Sequence, residues 1–332
     1  MRKRAVITGI GIIAPNGIGK NAFWSALKEG KSGIKKVTSF DVSGYSCQIA
    51  GEVSDFNPLD YLEKKETGRM ARVSQFAVAA TRMALVDAGY VSGLPVHARC
   101  CIALGLATGT AMDLIEKEHR VFLNGGPSSV NSFTLATASP NAGVNEIAGI
   151  MGVNAIQRNF SHDCTSGVDA LGYTMEMIEK GEITVGICGG NECPITPLEL
   201  AFFCRSGLIP TWTGKREEGR PEEISRPFDR KRAGGVLAEG AGIFVVEEME
   251  EALRRWVYIY GEIIGHGSNG TRRNGIAEVM EKTILKGRVS PSEIDYICAH
   301  APSDVHIDCE ETKAIKRLFG ERAYRIPVSS IK

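Results

Sequence analysis

Two residues in this sequence combine a reactive side chain with a placement that could use it. Cys164 lies in "NFSHDCTSGVDALGYTMEMIEKGE" (159–182) and His300 in "YICAHAPSD" (296–304). Cys164 falls where an apolar strand pattern gives way to a helical one. Unpaired N–H groups and the dipole at a helix start stabilise negative charge on a sulfur placed there. Gly167 lets the turn close tightly, and Thr165 and Ser166 are small enough to leave room for a substrate. A buried packing cysteine in a βα turn fits the same local sequence, because lone cysteines are often buried. His300 ends an apolar run, at the carboxyl end of a strand, where α/β folds place their chemistry. Taken singly, it also reads as a structural hydrogen-bonding group. A cysteine and a histidine on separate strand ends together form a candidate nucleophile–base constellation. Asp163, His162 and His306 read as turn and loop residues.

The elements that must position these groups alternate between strand and helix. "RAVITGIGII" is strand-like and "NAFWSALKEG" helical; the long periodic "GRMARVSQFAVAATRMALVDAGY" leads into the apolar run "CCIALGLATG". "NAGVNEIAGIMG" is a helix after a Ser139–Pro140 start signal. "AIQRNFSHD", "TSGVDALGYTMEMIEKGE" and "ITVGICGG" form a βαβ unit whose apolar strands fit a parallel sheet covered on both faces. The polar, Gly-, Pro- and charge-rich stretch around 205–235 is a long surface excursion, and such excursions are often functional. "GAGIFVVEE", "WVYIYGEIIGHG", "IDYICAHA" and "RIPVSSIK" are further strands; "NGIAEVMEKTILKG" and "DCEETKAIKRLFG" are helices.

The totals exclude several function classes. Lys+Arg and Asp+Glu both number 39 in 332 residues, so the net charge is zero and lacks the basic footprint of a nucleic-acid binder. No run approaches 18 uninterrupted apolar residues, so no membrane span is expected. The nine cysteines are an odd number without disulfide or CxxC spacing, pointing to a reducing cytoplasm and no metal site. "GIGIIA" (9–14) formally fits a dinucleotide fingerprint, but Pro15–Asn16–Gly17 places a turn where that motif needs a helix to open.

Seven or more motifs, in order along nearly the whole chain, resemble the elongating β-ketoacyl-[acyl carrier protein] synthases of the thiolase superfamily. They include "VITGIGIIAPNG", "FWSALKEGKSGI", "LNGGP", "DCTSGVDALGYTMEMIEKGE", "CGGNE", "FFCRSGL", "SRPFDRKRAGGVLAEGAGIFVVEE", "AH" at 299–300 and "VSSIK". The resemblance implies an α/β, thiolase-like fold of two similar halves, each a mixed five-stranded sheet, in α-β-α-β-α layers. Residues 1–250 would form the first half, including the 205–235 excursion; 251–332 would form an incomplete second half. It implies decarboxylative Claisen condensation of an acyl thioester with malonyl-[acyl carrier protein], in a fatty-acid, specialised lipid or polyketide pathway. Cys164 would carry the acyl group, His300 would serve the malonyl half-reaction, and Lys332 would support it. Phe203, Thr110, Met112 and Ser303 would bind substrate. No bound cofactor or metal is implied: the phosphopantetheine arm belongs to the acyl carrier protein, and the enzyme is a cytoplasmic homodimer.

Three departures stand against that pattern. The family's second histidine and its Gly–Phe–Gly loop are not among these 332 residues. "APSD" (301–304) replaces a Gly–Thr–Ser–Thr run whose threonines hold the phosphopantetheine arm, and the connection from Gly267 to Asn274 is short. "APSD" keeps a second reading open, a non-catalytic or specialised ketosynthase-like partner subunit that holds or measures the acyl chain. The retained Cys164 argues for the enzyme.

Overall fold

A computed structural model describes residues 2–95, 98–108, 111–270 and 275–332. The chain opens with β1 (Ala5–Ala14), β2 (Gly17–Ile18) and α1 (Lys20–Lys28), followed by β3 (Lys35–Lys36) and β4 (Ile49–Ala50). Next come α2 (Lys64–Thr67), α3 (Arg72–Asp87), β5 (Cys100–Gly105), α4 (Met112–Gly125), α5 (Thr134–Thr137) and α6 (Ala142–Met151). The central stretch is β6 (Ala155–Phe160), α7 (Ser166–Glu179), β7 (Val185–Glu192) and α8 (Pro197–Ser206). Then follow β8 (Gly240–Glu248), α9 (Met249–Arg254), β9 (Gly261–Ile263), α10 (Gly275–Gly287), β10 (Ile297–Cys298), α11 (Ile307–Phe319) and β11 (Val328–Ser329). Helices α4 and α8 are additions to the elements expected from sequence. The 261–267 part of "WVYIYGEIIGHG" is strand only over β9.

These elements divide into two compact units. One comprises 1–32, 53–199 and 238–263; the other comprises 33–52, 200–237 and 264–332. The first is built on a mixed sheet in the order β2-β1-β8-β7-β5-β6, with β9 also on β1. Five long strands form the expected sheet, and β2 and β9 are short extensions. β6 and β7 flank β5 in parallel, as the βαβ pattern requires, while β8 runs antiparallel to both β7 and β1. One face is covered by α3 and α6, through Phe76, Ala80, Ala84, Val144 and Ile147 against Ile102, Leu104, Ile187, Ile243 and Val245. The other is covered by α7, through Ala170, Met175 and Ile178 against Cys101, Ala103, Cys188 and Val246. The result is the helix–sheet–helix layering of a thiolase-like half. β6 departs from the expected near-continuous apolar strand: among the described residues it pairs with β5 alone, and its central Gln157 and Arg158 are exposed.

Glycines decide how closely the helices lie on this sheet. A Cβ on Gly9 or Gly11 would stand 2.1 or 1.8 Å from the carbonyl oxygens of Ala84 and Ala80 in α3. The glycines of "GIGIIA" therefore seat a small-residue helix on β1, and α1 begins at Lys20, past the turn. On the opposite face a Cβ on Gly105 would lie 2.2 Å from the Ser166 carbonyl carbon. Gly167 packs in turn on Gly190, with ordinary contact at 3.4 Å.

The second unit is made of short pieces around long connections. β3 pairs antiparallel with β4, and β10 pairs parallel with β11. Its described residues hold two-stranded sheets in place of the expected five-stranded one. Gln48 N–H donates to the Trp212 carbonyl and Gly51 N–H to that of Leu237, tying 33–52 to the excursion.

Replacing Gly105 with alanine forces backbone against backbone and is expected to cost about 3 kcal/mol. Gly149→Ala, inside α6 with open space at its Cβ, is expected to stabilise by roughly 0.4–1 kcal/mol. Urea unfolding midpoints of both variants, with unchanged m-values, check the pair.

Candidate active site

Cys164 is solvent-exposed, two residues before the first residue of α7, which removes the buried-packing reading. The chain reverses at Asp163, whose φ of 52° lies in the left-handed region that Asp and Asn tolerate best among non-glycine residues. Ser166 ties the turn from inside: its hydroxyl accepts from the His162 N–H at 2.7 Å and lies 2.7 and 3.0 Å from the Asp163 and Leu106 carbonyls. Asp169, buried in the first turn of α7, accepts from the Thr165 hydroxyl at 3.0 Å and pairs with His162 Nδ1 at 3.0 Å. These ties fix the backbone around Cys164 while leaving its side chain open.

The neighbouring strand end is held in the same way. The Glu192 carboxylate, at the end of β7, accepts from the backbone N–H groups of Ala107 and Thr108 and, at 2.9 Å, from the Thr108 hydroxyl. Met112 is the first residue of α4 and half-buried. Thr110 lies outside the described residues.

In the other unit His300 follows β10, and its loop is built on buried carboxylates of α11. Glu311 accepts from the N–H groups of His300 (2.9 Å) and Ala301 (2.7 Å). Asp308 accepts from Phe228 N–H at 2.9 Å and pairs with Arg232 at 3.3 Å. Arg232 also donates to the carbonyls of Asp304 (3.1 Å) and Val305 (2.7 Å). Ser330 donates to the His300 and Ala301 carbonyls. The "RPFDRKR" part of the excursion is thus the scaffold of the 300–305 loop.

Within that loop Ala301 and Ser303 take positive φ, 24° and 69°. Ser303 was expected to contact substrate, yet its side chain has no accessible surface, and its hydroxyl accepts from Arg226 N–H at 3.1 Å. Asp304 caps α11, its Oδ1 accepting from the N–H groups of His306 and Ile307, both at 2.8 Å. The charge that distinguishes "APSD" is therefore engaged by a helix start. Phe203 is half-buried on α8, and Lys332 is exposed.

Burial, with the Lys332 ammonium as the second cause, pushes the His300 imidazole below its usual range; Glu311 and Asp308 oppose the shift. His300 is accordingly neutral at pH 7, with one ring N–H to donate and one lone pair to accept. Among the described residues no group of three or more His, Cys, Asp or Glu could hold a metal ion. No helix among them is long and apolar enough to cross a membrane.

The family model for the N-terminal domain of β-ketoacyl synthases matches residues 2–252, and that for the C-terminal domain matches 260–332. The chain belongs to the β-ketoacyl synthase family. It is 36% identical over 348 residues to the granaticin polyketide putative β-ketoacyl synthase 1 of Streptomyces violaceoruber, covering 100% of this chain and 81% of the relative. It is also 36% identical over 344 residues to the 3-oxoacyl-[acyl-carrier-protein] synthase 2 of Coxiella burnetii, covering 100% and 81%. Among solved structures, a type II polyketide acyl-carrier protein in complex with its ketosynthase superposes with a TM-score of 0.87 at 28% identity, covering 100% of this chain and 81% of that one. Membership makes the protein a thiolase-fold condensing enzyme of the acyltransferase type.

The supports of this synthase site escaped motif reading. Glu311 and Asp308 stand in a stretch read only as helix, and Arg232 lies in the motif "SRPFDRKRAGGVLAEGAGIFVVEE", which assigned it no role. One signal was present: Asp308 and Glu311 occupy the same helical stripe as buried Ala314 and Ile315, so two acids replace apolar residues on an inward face.

Lys332→Met removes one cause of the low His300 pKa and is expected to move it upward, read from the His300 ring signal in an NMR titration. The sign for stability follows from a folded-state pKa below the ordinary imidazole value of 6.5. The folded state binds fewer protons than the unfolded one, so this group's contribution is full above about pH 6.5 and is lost as pH falls below it. In the Lys332→Met variant that loss is smaller, which urea titrations at pH 7.5 and 5.5 check.

Proposed function

We propose that this synthase condenses an acyl group held on Cys164 with malonyl-[acyl carrier protein] to give 3-oxoacyl-[acyl carrier protein]. The observation that carries the residue assignment is the exposed Cys164 at the head of α7, on a turn fixed by its neighbours, in a chain whose family performs this condensation. The Cys164 sulfur attacks the acyl thioester carbonyl; the new C–S bond forms as the carrier's thiol leaves with the proton. In the second half-reaction malonyl loses CO2, and the resulting enolate carbon attacks the acyl-cysteine carbonyl. A C–C bond forms and the Cys164 sulfur departs.

His300 is the donor to the malonyl thioester oxygen as it becomes an enolate. A neutral imidazole N–H suits that task, since a preorganised donor meets charge as it develops. Lys332 acts by keeping His300 neutral. The Cys164 backbone N–H is one oxyanion donor for the acyl transfer. Met112, Thr110 and Phe203 shape the acyl site, and Ser303 acts through the backbone it holds. The two halves of the fold divide near residue 250, a reading supported by the separate family models for 2–252 and 260–332.

The partner is an acyl carrier protein, whose phosphopantetheine arm brings the thioester; the structural relative bound to its own carrier protein supports this. No metal or bound cofactor takes part, and the enzyme works in the cytoplasm. A homodimer forms across β6. Its outer edge is unpaired, and exposed Phe122, Leu123, Phe133 and Leu135 on and beside α4 and α5 add apolar surface in the same unit.

Incubation of the protein with an acyl-[acyl carrier protein], followed by intact-mass measurement, is expected to give one acyl adduct on wild type and none on Cys164→Ala. Absence of any adduct on folded wild type across chain lengths would move the assignment to a non-catalytic partner subunit. His300→Ala is expected to retain the adduct and to lower 3-oxoacyl product formation by at least roughly 100-fold.

A further inference from the structure

We infer that Glu199 is a specificity residue of this synthase, offering the substrate's acyl group a buried hydrogen-bonding carboxyl, so that the preferred acyl chain carries a hydroxyl or keto oxygen. The inference rests on the acyl-site reading above, which places Met112 and Thr110 against that group.

Glu199 is 3% exposed, in the first turn of α8, and its backbone N–H is satisfied by the Thr196 hydroxyl at 3.2 Å. Its Oε1 has no hydrogen-bond partner. An acceptor left unmade in the interior costs about 1–3 kcal/mol, so an orphan carboxyl oxygen calls for an explanation.

The groups facing Glu199 come from three places. Asp113 and Glu116 belong to α4, Glu192 ends β7, and Thr108 lies in the segment after β5. Each carboxylate with a known bond has it elsewhere. Glu192 holds Ala107 and Thr108, and Glu116 accepts from Leu198 N–H at 3.0 Å. The nearby cation, Arg72, is committed to Glu239 through two bonds of 2.9 and 2.7 Å and to the Val53 carbonyl. Three acids surround Glu199.

Such surroundings favour a neutral carboxyl, which can donate as well as accept. Burial first, then Glu192, Glu116 and Asp113, push the Glu199 carboxyl up to about 7, and a hydrogen bond from the Thr108 side chain to that carboxyl opposes them. An anionic ligand is excluded by the same acids. Asp113, which acts on Glu199, directly follows Met112, a residue assigned above to the acyl group. A chain with an oxygen substituent completes the bonding that the protein leaves open, whereas an alkyl chain buries the orphan atom unpaired.

The test compares Cys164 acylation rates, by intact mass, for octanoyl-, 8-hydroxyoctanoyl-, 5-oxooctanoyl- and 7-oxooctanoyl-pantetheine. Wild type is expected to prefer at least one oxygenated chain over octanoyl by roughly 5-fold or more. Glu199→Leu should abolish or reverse that preference, and Glu199→Gln should keep it while flattening its pH dependence between 6 and 8. Circular dichroism and melting of each variant establish folding; if the leucine variant does not fold, the glutamine variant's pH profile decides. Equal preference ratios in wild type and Glu199→Leu overturn the inference while leaving the condensing function intact, with water as the partner of Oε1. Failure of every thioester to acylate wild type overturns the acyl-site reading and this inference with it.

Discussion

The first unit depends on one steric condition: helix α7 must lie against the sheet with backbone touching backbone. Gly105 on β5 meets the Ser166 carbonyl, and Gly167 meets Gly190 on β7. Any side chain at Gly105 would lift the start of the helix. That start is also where Cys164 emerges, so a packing constraint on the sheet becomes a positional constraint on the sulfur. The opposite face repeats the device with Gly9 and Gly11 under α3. Apolar burial holds these layers together, but the absence of Cβ atoms sets their spacing.

The second unit solves a different problem, holding a loop with unfavourable backbone angles. Ala301 and Ser303 at positive φ carry a conformational cost that the surroundings must offset. Glu311 gathers two successive N–H groups, and Asp308 with Arg232 anchors the excursion from which three further bonds reach 303–305. Buried carboxylates are stable here because charged acceptors meet several donors each. The same acids also temper the lowering of the His300 pKa, so the loop's scaffold and the histidine's protonation state are linked.

Buried acids elsewhere divide into satisfied and unsatisfied. Glu247 collects Arg255, Tyr90 and Thr8, and Glu239 collects Arg72 and the Val53 N–H. Glu199 collects nothing at Oε1. Asp308 is likewise open at Oδ1 while its other oxygen meets Phe228 and Arg232, so an unpaired interior carboxylate oxygen is not peculiar to Glu199.

Local sequence determined much of this protein. Hydrophobic period and cap signals placed the βαβ unit and the start of α1, and the ordered motifs around Cys164 and His300 identified the family, because such stretches encode their own turns. Sequence missed α4 and α8, and read β6 as near-continuously apolar when its Gln157 and Arg158 are exposed. Tertiary structure alone decided that Cys164 is open to solvent, that Ser303 is buried, and that Asp304 caps a helix. It also decided that three acids separated by up to 79 positions, from Asp113 to Glu192, gather around Glu199. The physical reason is common to all four: exposure, hydrogen-bond partnership and electrostatic field depend on what folds against a residue, and neighbours in space are not neighbours in the chain.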